Sequence, residues 1–258
     1  MERLTPRRKP AGINGNALRT WALLFAACGI VGRGVIQCHM LGVGRVSTED
    51  LLAVMGQSQV NMNLATISLI CQALETCAVP IFALLVVDGG RYTSDFQAYL
   101  IRVAKLAVLC EVPYNLATGA KLLDFGTRNP VFGLLLCQVM IFFFLRYDGK
   151  KIKNRLVRFA VFAAAVVWCE MLKIEFGFPM VLIVFVLWAF RTNPLYRNFA
   201  GAAAAIVCSV YSPFFLASPM GFMAVHFYNE EPCDKSQEYK YYAYPVILAV
   251  AAAAGLIL

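Results

Sequence analysis

Glu75, Glu111 and Arg33 are ionisable side chains that sit well inside apolar runs. Glu75 lies about midway through the run from Asn63 to Val87, Glu111 in the outer half of the run from Gln97 to Thr118, and Arg33 two-thirds along the run from Leu18 to Met40. A charge at the centre of a bilayer costs about 2.5–3.5 kcal/mol on insertion scales, so one that persists there has a partner or a function. The three fall at similar depth, and a cluster is expected in which Arg33 partners the two carboxylates. Desolvation disfavours the ionised form of a carboxyl group, which suits Glu75 or Glu111 to act as acid or base. Arg33 would hold the other, or stabilise developing negative charge. The same three residues also suit an ion pair that only pins helices together.

A second constellation follows the second run. Asp88, Gly89 and Gly90 form a hinge in DGGRYTSD, glycines permit close backbone approach, and Arg91 adds a charge that can meet a phosphate. Arg102 and Lys105 lie three apart on one helix face and extend that basic patch. A tight loop with snorkelling bases is the plainer reading. Of the two histidines, His39 ends the first run, while His226 in MAVHFYN is a candidate base because an unperturbed imidazole titrates near pH 6.5. Beside Phe227 and Tyr228 it equally fits an interfacial position. Glu170 and Glu175 flank Lys173 and suit a basic substrate or a solvated interface. No His-Cys cluster has metal-ligand spacing, so no metal is expected, and no Walker sequence is present.

The elements that must position these residues are apolar helices. Of 258 residues, 60% are hydrophobic and 15% charged, against about 25% charged in soluble domains. The mean hydropathy is +0.66, and apolar runs recur from Leu18 to Leu258. An all-α, polytopic transmembrane bundle of about eight to nine spans is expected, as one domain over residues 18–258 behind a basic cytoplasmic tail at 1–17. Continuous runs argue against an outer-membrane barrel, whose strands alternate in short segments. After the three runs above, spans are expected at about Val131–Leu145, Phe159–Leu172, Met180–Phe190, Phe199–Val210 and Tyr242–Leu258. The stretch 211–228 makes an eighth, broken by Pro213 and Pro219. STEDLLAVMGQ reads as a short interfacial helix capped by Ser47.

Charge sets the orientation. With the N-terminus cytoplasmic, DGGRYTSD, KKIKNR, RTNPLYR and NEEPCDKSQEYK fall inside, and the opposite side keeps only Arg45, Lys121, Arg128 and Lys173. The net charge of +8 therefore reads as topology rather than nucleic-acid binding, and KKIKNR as a contact for anionic lipid. The nine cysteines lie mostly in apolar runs and behave as small buried hydrophobes. The first run lacks an A-x-A cleavage site and is expected to be retained as a helix.

The order of short motifs resembles one family. VPIFALLVVDGG, a Tyr92-Thr93 step and YLIRVAKLAVLCEVPYNLA resemble the core of the TraX family, polytopic membrane proteins whose founding member is associated with N-terminal acetylation of conjugative pilin. Asn129 in RNPVFG, Glu175 in IEFGFP, Tyr228-Asn229 and YYAYP at 241–245 continue the resemblance in order. Two departures stand out. Gly29 and Ile30 occupy the place of the family's Asp-His pair, and no His follows Tyr244-Pro245. The resemblance implies a multi-pass protein of the bacterial cytoplasmic membrane that transfers an acetyl group from acetyl-CoA to the N-terminal amine of a pilin-like peptide. Glu75, Glu111, Arg33 and His226 are then its catalytic candidates, His226 replacing a missing base. Asp88, Gly89, Arg91, Arg102 and Lys105 are the donor-entrance candidates. The alternatives are a permease-like or transport-associated subunit, whose polar path those residues would line, and a member that kept the fold without the chemistry.

Overall fold

Polar residues that interrupt the apolar runs also start the helices. In this computed structural model, which describes residues 12–43, 48–93, 95–149, 151–229, 231, 235–255 and 257, the chain is helical almost throughout. The basic tail at Arg3, Arg7, Arg8 and Lys9, the Ser47 cap and Arg45 lie outside the described residues. In chain order the elements are α1 (Gly15–Ile30), continued by a π-helix (Val31–Met40), then α2 (Thr48–Met55), α3 (Gln59–Thr76), α4 (Ala78–Tyr92) and α5 (Phe96–Gly119). They continue with α6 (Val131–Arg146), α7 (Ile152–Met171), α8 (Gly177–Ala189), α9 (Pro194–Val207), α10 (Gly221–His226) and α11 (Ala243–Gly255). No strand occurs among the described residues; two isolated bridges join Ile13 to Tyr228 and Arg128 to Ile174.

The caps explain several boundaries. The side chains of Asn14, Ser58, Asp95 and Asn193 accept hydrogen bonds from the first turns of α1, α3, α5 and α9, satisfying amides that have no intrahelical partner. Pro194 at the first position of α9 reinforces that start. Ala120 takes left-handed backbone at φ +49° and ends α5.

Two expected spans differ in detail from the folded chain. The run from Asn63 to Val87 is two helices, α3 and α4, broken at Cys77. Pro80 has no N–H to offer the carbonyl of Thr76, so the ladder fails there, two residues after Glu75. The stretch 211–228 is not one helix: short 3-10 turns at Pro213–Leu216 and Ser218–Met220 lead into the six-residue α10. Its open backbone is held by side chains of the α3–α4 break. The Thr76 hydroxyl donates to the Phe214 carbonyl at 3.0 Å, and the Cys77 thiol to that of Ala217 at 3.2 Å. Irregular backbone deep in a bundle requires such partners.

Two helical segments are long and apolar enough to cross a membrane among the described residues. They are Gly15–Met40, of 26 residues, and Gln59–Tyr92, of 34 residues, with mean hydropathies of 1.6 and 2.0. Val131–Arg146 and Gly177–Ala189 are apolar but shorter. α4 runs through the middle, packed on α1, α6, α8 and α10, and α5 packs on α6, α11 and the π-helix. One apolar core joins α4, α6 and α8 through residues such as Leu84, Ile141 and Val184; a second joins α1, α5 and α11 through Ile30, Ala107 and Leu248.

Loops gather by end. Asp148 pairs with Arg158 at 3.6 Å and with Arg191 at 2.5 Å, so the KKIKNR and RTNP loops lie together. The Arg128 N–H donates to the Lys173 carbonyl at 2.9 Å, and the Glu175 N–H to the Arg128 carbonyl at 3.1 Å, which zips the two other loops at the Lys173 end.

Candidate functional site

Arg33 lies on the π-helix, whose wide turn sets its side chain between α3 and the loop before α8. One guanidinium nitrogen pairs with Glu75 and the other with Glu175, while the Tyr114 hydroxyl donates to the second oxygen of Glu175. The guanidinium also lies 5.3 Å from the centre of the Phe176 ring. Phe176 itself takes left-handed backbone at φ +56°, which turns the chain sharply between Glu175 and α8. The Arg33, Glu75 and Glu175 side chains are 18%, 7% and 13% exposed, so the cluster is desolvated. Two carboxylates face one guanidinium, so the formal charges of these three residues sum to −1.

Gly29 makes room for this arrangement. A Cβ at that position would overlap the Glu75 carboxyl group, so the acidic side chain fills space that any residue larger than glycine would occupy. Position 29 thus leaves space for an acid delivered from α3. Gly34, farther along on the π-helix, permits a similar approach. A Cβ there would lie 2.8 Å from the Ala117 carbonyl, so α5 and the π-helix touch backbone to backbone.

Glu111 does not join Arg33. Its carboxylate accepts from Arg128 at 2.8 Å and from the Asn129 amide side chain at 2.6 Å. Asn129 is fully buried, donates also to the Ala107 carbonyl at 2.9 Å, and accepts from the Val131 N–H at 3.0 Å to start α6. Glu111 points from α5 towards the loop before α6, whereas Tyr114, one turn later, points to Glu175. The carboxylate that shares Arg33 with Glu75 is Glu175, from the short loop before α8.

Two cavities flank the cluster. The first, of about 400 Å³, runs along α4 from Ala78 to Tyr92; Glu75 and Tyr244 line it, and so do Arg19, Asp88, Gly89, Arg102 and Lys240. The second, of about 410 Å³, is lined by Arg33, Glu170, Lys173, Glu175, Tyr211 and Ser212 among others. Phe176 borders both. The expected hinge at Asp88, Gly89 and Gly90 is instead regular helix inside α4, which runs on to Tyr92. The Arg33–Glu75–Glu175 cluster stands between a cavity that reaches this last part of α4 and one that reaches the Lys173 loop.

The remaining candidates divide. Asp88, Gly89 and Arg102 line the first cavity; Arg91 and Lys105 do not, Arg91 lying 3.9 Å from Asp88 and stacking on Tyr92. His226 ends α10, exposed, edge-to-face with Phe227 at 5.4 Å, and borders neither cavity. Among the described residues, no group of His, Cys, Asp and Glu could hold a metal. Sequence reasoning did not single out Arg19, Tyr114, Gln138, Lys240, Tyr241 or Tyr244 as site residues. A lone Gln138 in the apolar run of α6 was the clearest signal among them; the others meet only in three dimensions.

No curated protein and no solved structure matches the chain. The family model for TraX protein matches residues 51–253, which include the Glu75, Glu111 and Glu175 positions and most of both cavity linings. The chain is a member of the TraX protein family.

Proposed function

We propose that this protein is a multi-pass helical protein of the bacterial cytoplasmic membrane, with eight to nine spans and a cytoplasmic N-terminus. In this reading it transfers an acetyl group from acetyl-CoA to the N-terminal amine of an exported, pilin-like peptide. The membrane assignment is supported by apolar side chains exposed on helix after helix. Ile67 and Ile70 on α3, Val108 on α5, Phe159 and Val167 on α7, Ile206 on α9 and Val250 on α11 are each about half exposed or more. Exposed apolar side chains recurring on helix after helix are what a lipid-facing bundle presents.

The observation that carries the chemistry is the placing of an under-charged, buried ion cluster between two cavities. The donor thioester would lie in the first cavity with its carbonyl at Glu75, and the acceptor ammonium would enter the second at Glu175. One carboxylate takes a proton from the ammonium, and the free amine attacks the thioester carbonyl carbon. A C–N bond forms, and the attacking nitrogen gives its second proton to the other carboxylate, which releases it to water in the cavity. The C–S bond breaks, and the thiolate leaves with the proton that the first carboxylate took. Arg33 stabilises the tetrahedral oxyanion; its Nε has no partner among the described residues. Tyr114 holds Glu175 in place.

The test is transfer from labelled acetyl-CoA to a pool of peptides with free N-termini in proteoliposomes. Glu75→Gln and Glu175→Gln should each lower the rate about 10²–10⁴-fold, the usual worth of a positioned acid–base group. Absence of transfer by the native protein, together with no stabilisation by acetyl-CoA, would favour the permease-like reading. There, the same cluster would be a gate between two aqueous vestibules.

A further inference from the structure

The first cavity holds two polar groups that nothing among the described residues satisfies. Arg19 is 9% exposed; its Nη2 donates weakly to the Tyr241 hydroxyl at 3.4 Å, its guanidinium lies 4.5 Å over the Tyr241 ring, and its Nη1 has no partner among the described residues. Gln138 is 2% exposed, and its Oε1 has no partner among the described residues either. Both residues line the cavity. Buried polar side chains left unpaired are uncommon in folded proteins, and each calls for an explanation such as a water or a bound group.

Their positions define a ligand. Arg19, Arg102 and Lys240 bring three positive charges to the cavity beside Asp88, near the end of α4. Val131, Leu134 and Gln138 line the cavity from one face of α6, with Gln138 the only polar member, one turn before Ile141, which packs against Gly90. Ala78, Phe82, Leu85, Gly89 and Tyr92 form the facing stripe on α4, about 21 Å long at 1.5 Å per residue. Glu75 closes the far end. The cavity is therefore cationic at one end, apolar along its length, interrupted by one carboxamide, and closed at the reactive cluster.

We propose that the cavity binds an elongated ligand bearing a phosphate at the Arg19 end and an amide at the depth of Gln138, and that these two residues recognise those two groups. The inference rests on the acyl-donor reading for the ligand's identity. Coenzyme A thioesters carry phosphates, then a chain with amides, then the thioester. An anionic phospholipid shares the phosphate and apolar chain but offers no amide to Gln138. Either orientation of the carboxamide suits an amide ligand, because that group both donates and accepts.

The experiment measures equilibrium binding of coenzyme A, pantetheine and a lysophosphatidylglycerol to the full chain in detergent, without any transfer step. Gln138→Leu keeps shape and removes the unpaired group. It should weaken coenzyme A and pantetheine about tenfold, the value of one good hydrogen bond, and should raise the Tm of the ligand-free protein. Arg19→Gln should weaken coenzyme A about tenfold or more and leave pantetheine unchanged. A lipid that binds as tightly as coenzyme A, with no loss in Gln138→Leu, overturns the proposal in favour of a lipid occupant. Coenzyme A affinity unchanged in both variants overturns it outright. Binding that depends on both residues without any acetyl transfer leaves the site standing and sinks only the reaction; transfer whose donor KM ignores both residues does the reverse.

Discussion

Arg33 is the residue on which the cluster depends, because it pairs with both Glu75 and Glu175. Removing one partner of a buried pair costs about 3–5 kcal/mol, since the charges left behind stay desolvated. Arg33→Met should therefore destabilise the protein by about that much in a thermal melt in detergent, whereas Glu175→Gln should be mild, as it relieves the excess negative charge. Equal losses in the two variants would mean that the cluster is solvated. Gly29→Ala adds a methyl group where the Glu75 carboxyl lies. Overpacking of this kind costs about 1–3 kcal/mol, and displacement of Glu75 should lower acetyl transfer with it. At this scale the Arg33–Glu75 pair was legible, because charges inside apolar runs stand out against their neighbours. The third member was not. Glu175 sits in a short loop beside Lys173 and Glu170, where a solvated surface gives the same sequence signal. Glu111 looked equivalent to Glu75 by depth alone; which way it faces on α5 depends on helical phase relative to Arg128, in the loop that follows.

The loops, more than the helices, hold the cluster in register. Arg128 exchanges two backbone hydrogen bonds with the 173–175 segment, and its side chain is anchored on Glu111. Asn129 beside it ties α5 to the start of α6 through both its amide and its carbonyl oxygen. Glu111 thus positions Glu175 from the far side of the loop, and Glu111→Gln should lower the transfer rate while leaving the acetyl-CoA KM unchanged. Asn129→Ala should cost about 2–4 kcal/mol, since it leaves the Ala107 carbonyl and one side of the Glu111 carboxylate unpaired in the interior. Asn193→Ala removes only an exposed cap from α9 and should cost about 1 kcal/mol. Denaturant midpoints of the two variants decide the matter: similar shifts would mean that Asn129 acts only as a cap. Most helix positions were readable from apolar runs and polar interruptions. The break at Cys77 was written in Pro80, but a proline four residues past a carbonyl is easily read as tolerated within a long apolar span. Pro213 and Pro219 did mark the broken stretch, though not the Thr76 and Cys77 side chains that stabilise it.

For the whole molecule, two pairs of loops that the Lys and Arg pattern assigns to a common end meet in the folded chain. Asp148 draws the KKIKNR and RTNP loops together, and Arg128 and Lys173 lie together elsewhere. Helices such as α8 and α11, of 13 residues each, span only about 20 Å, short of a bilayer core of about 30 Å. In the proposed multi-pass reading, such helices would thin the bilayer locally or sit behind the longer α1 and α3–α4 segments. Cysteine labelling tests the orientation that the proposed reaction needs. In a background with the nine native cysteines replaced, Lys121→Cys and Lys173→Cys should react with an impermeant maleimide on intact cells. Lys151→Cys and Arg191→Cys should react only after permeabilisation. That pattern puts the first cavity's cationic end on the side where acetyl-CoA is made and the second cavity on the side where an exported peptide emerges. The reverse pattern would send the donor to the wrong compartment, and the acyl-transfer mechanism would fail however well the cluster is built.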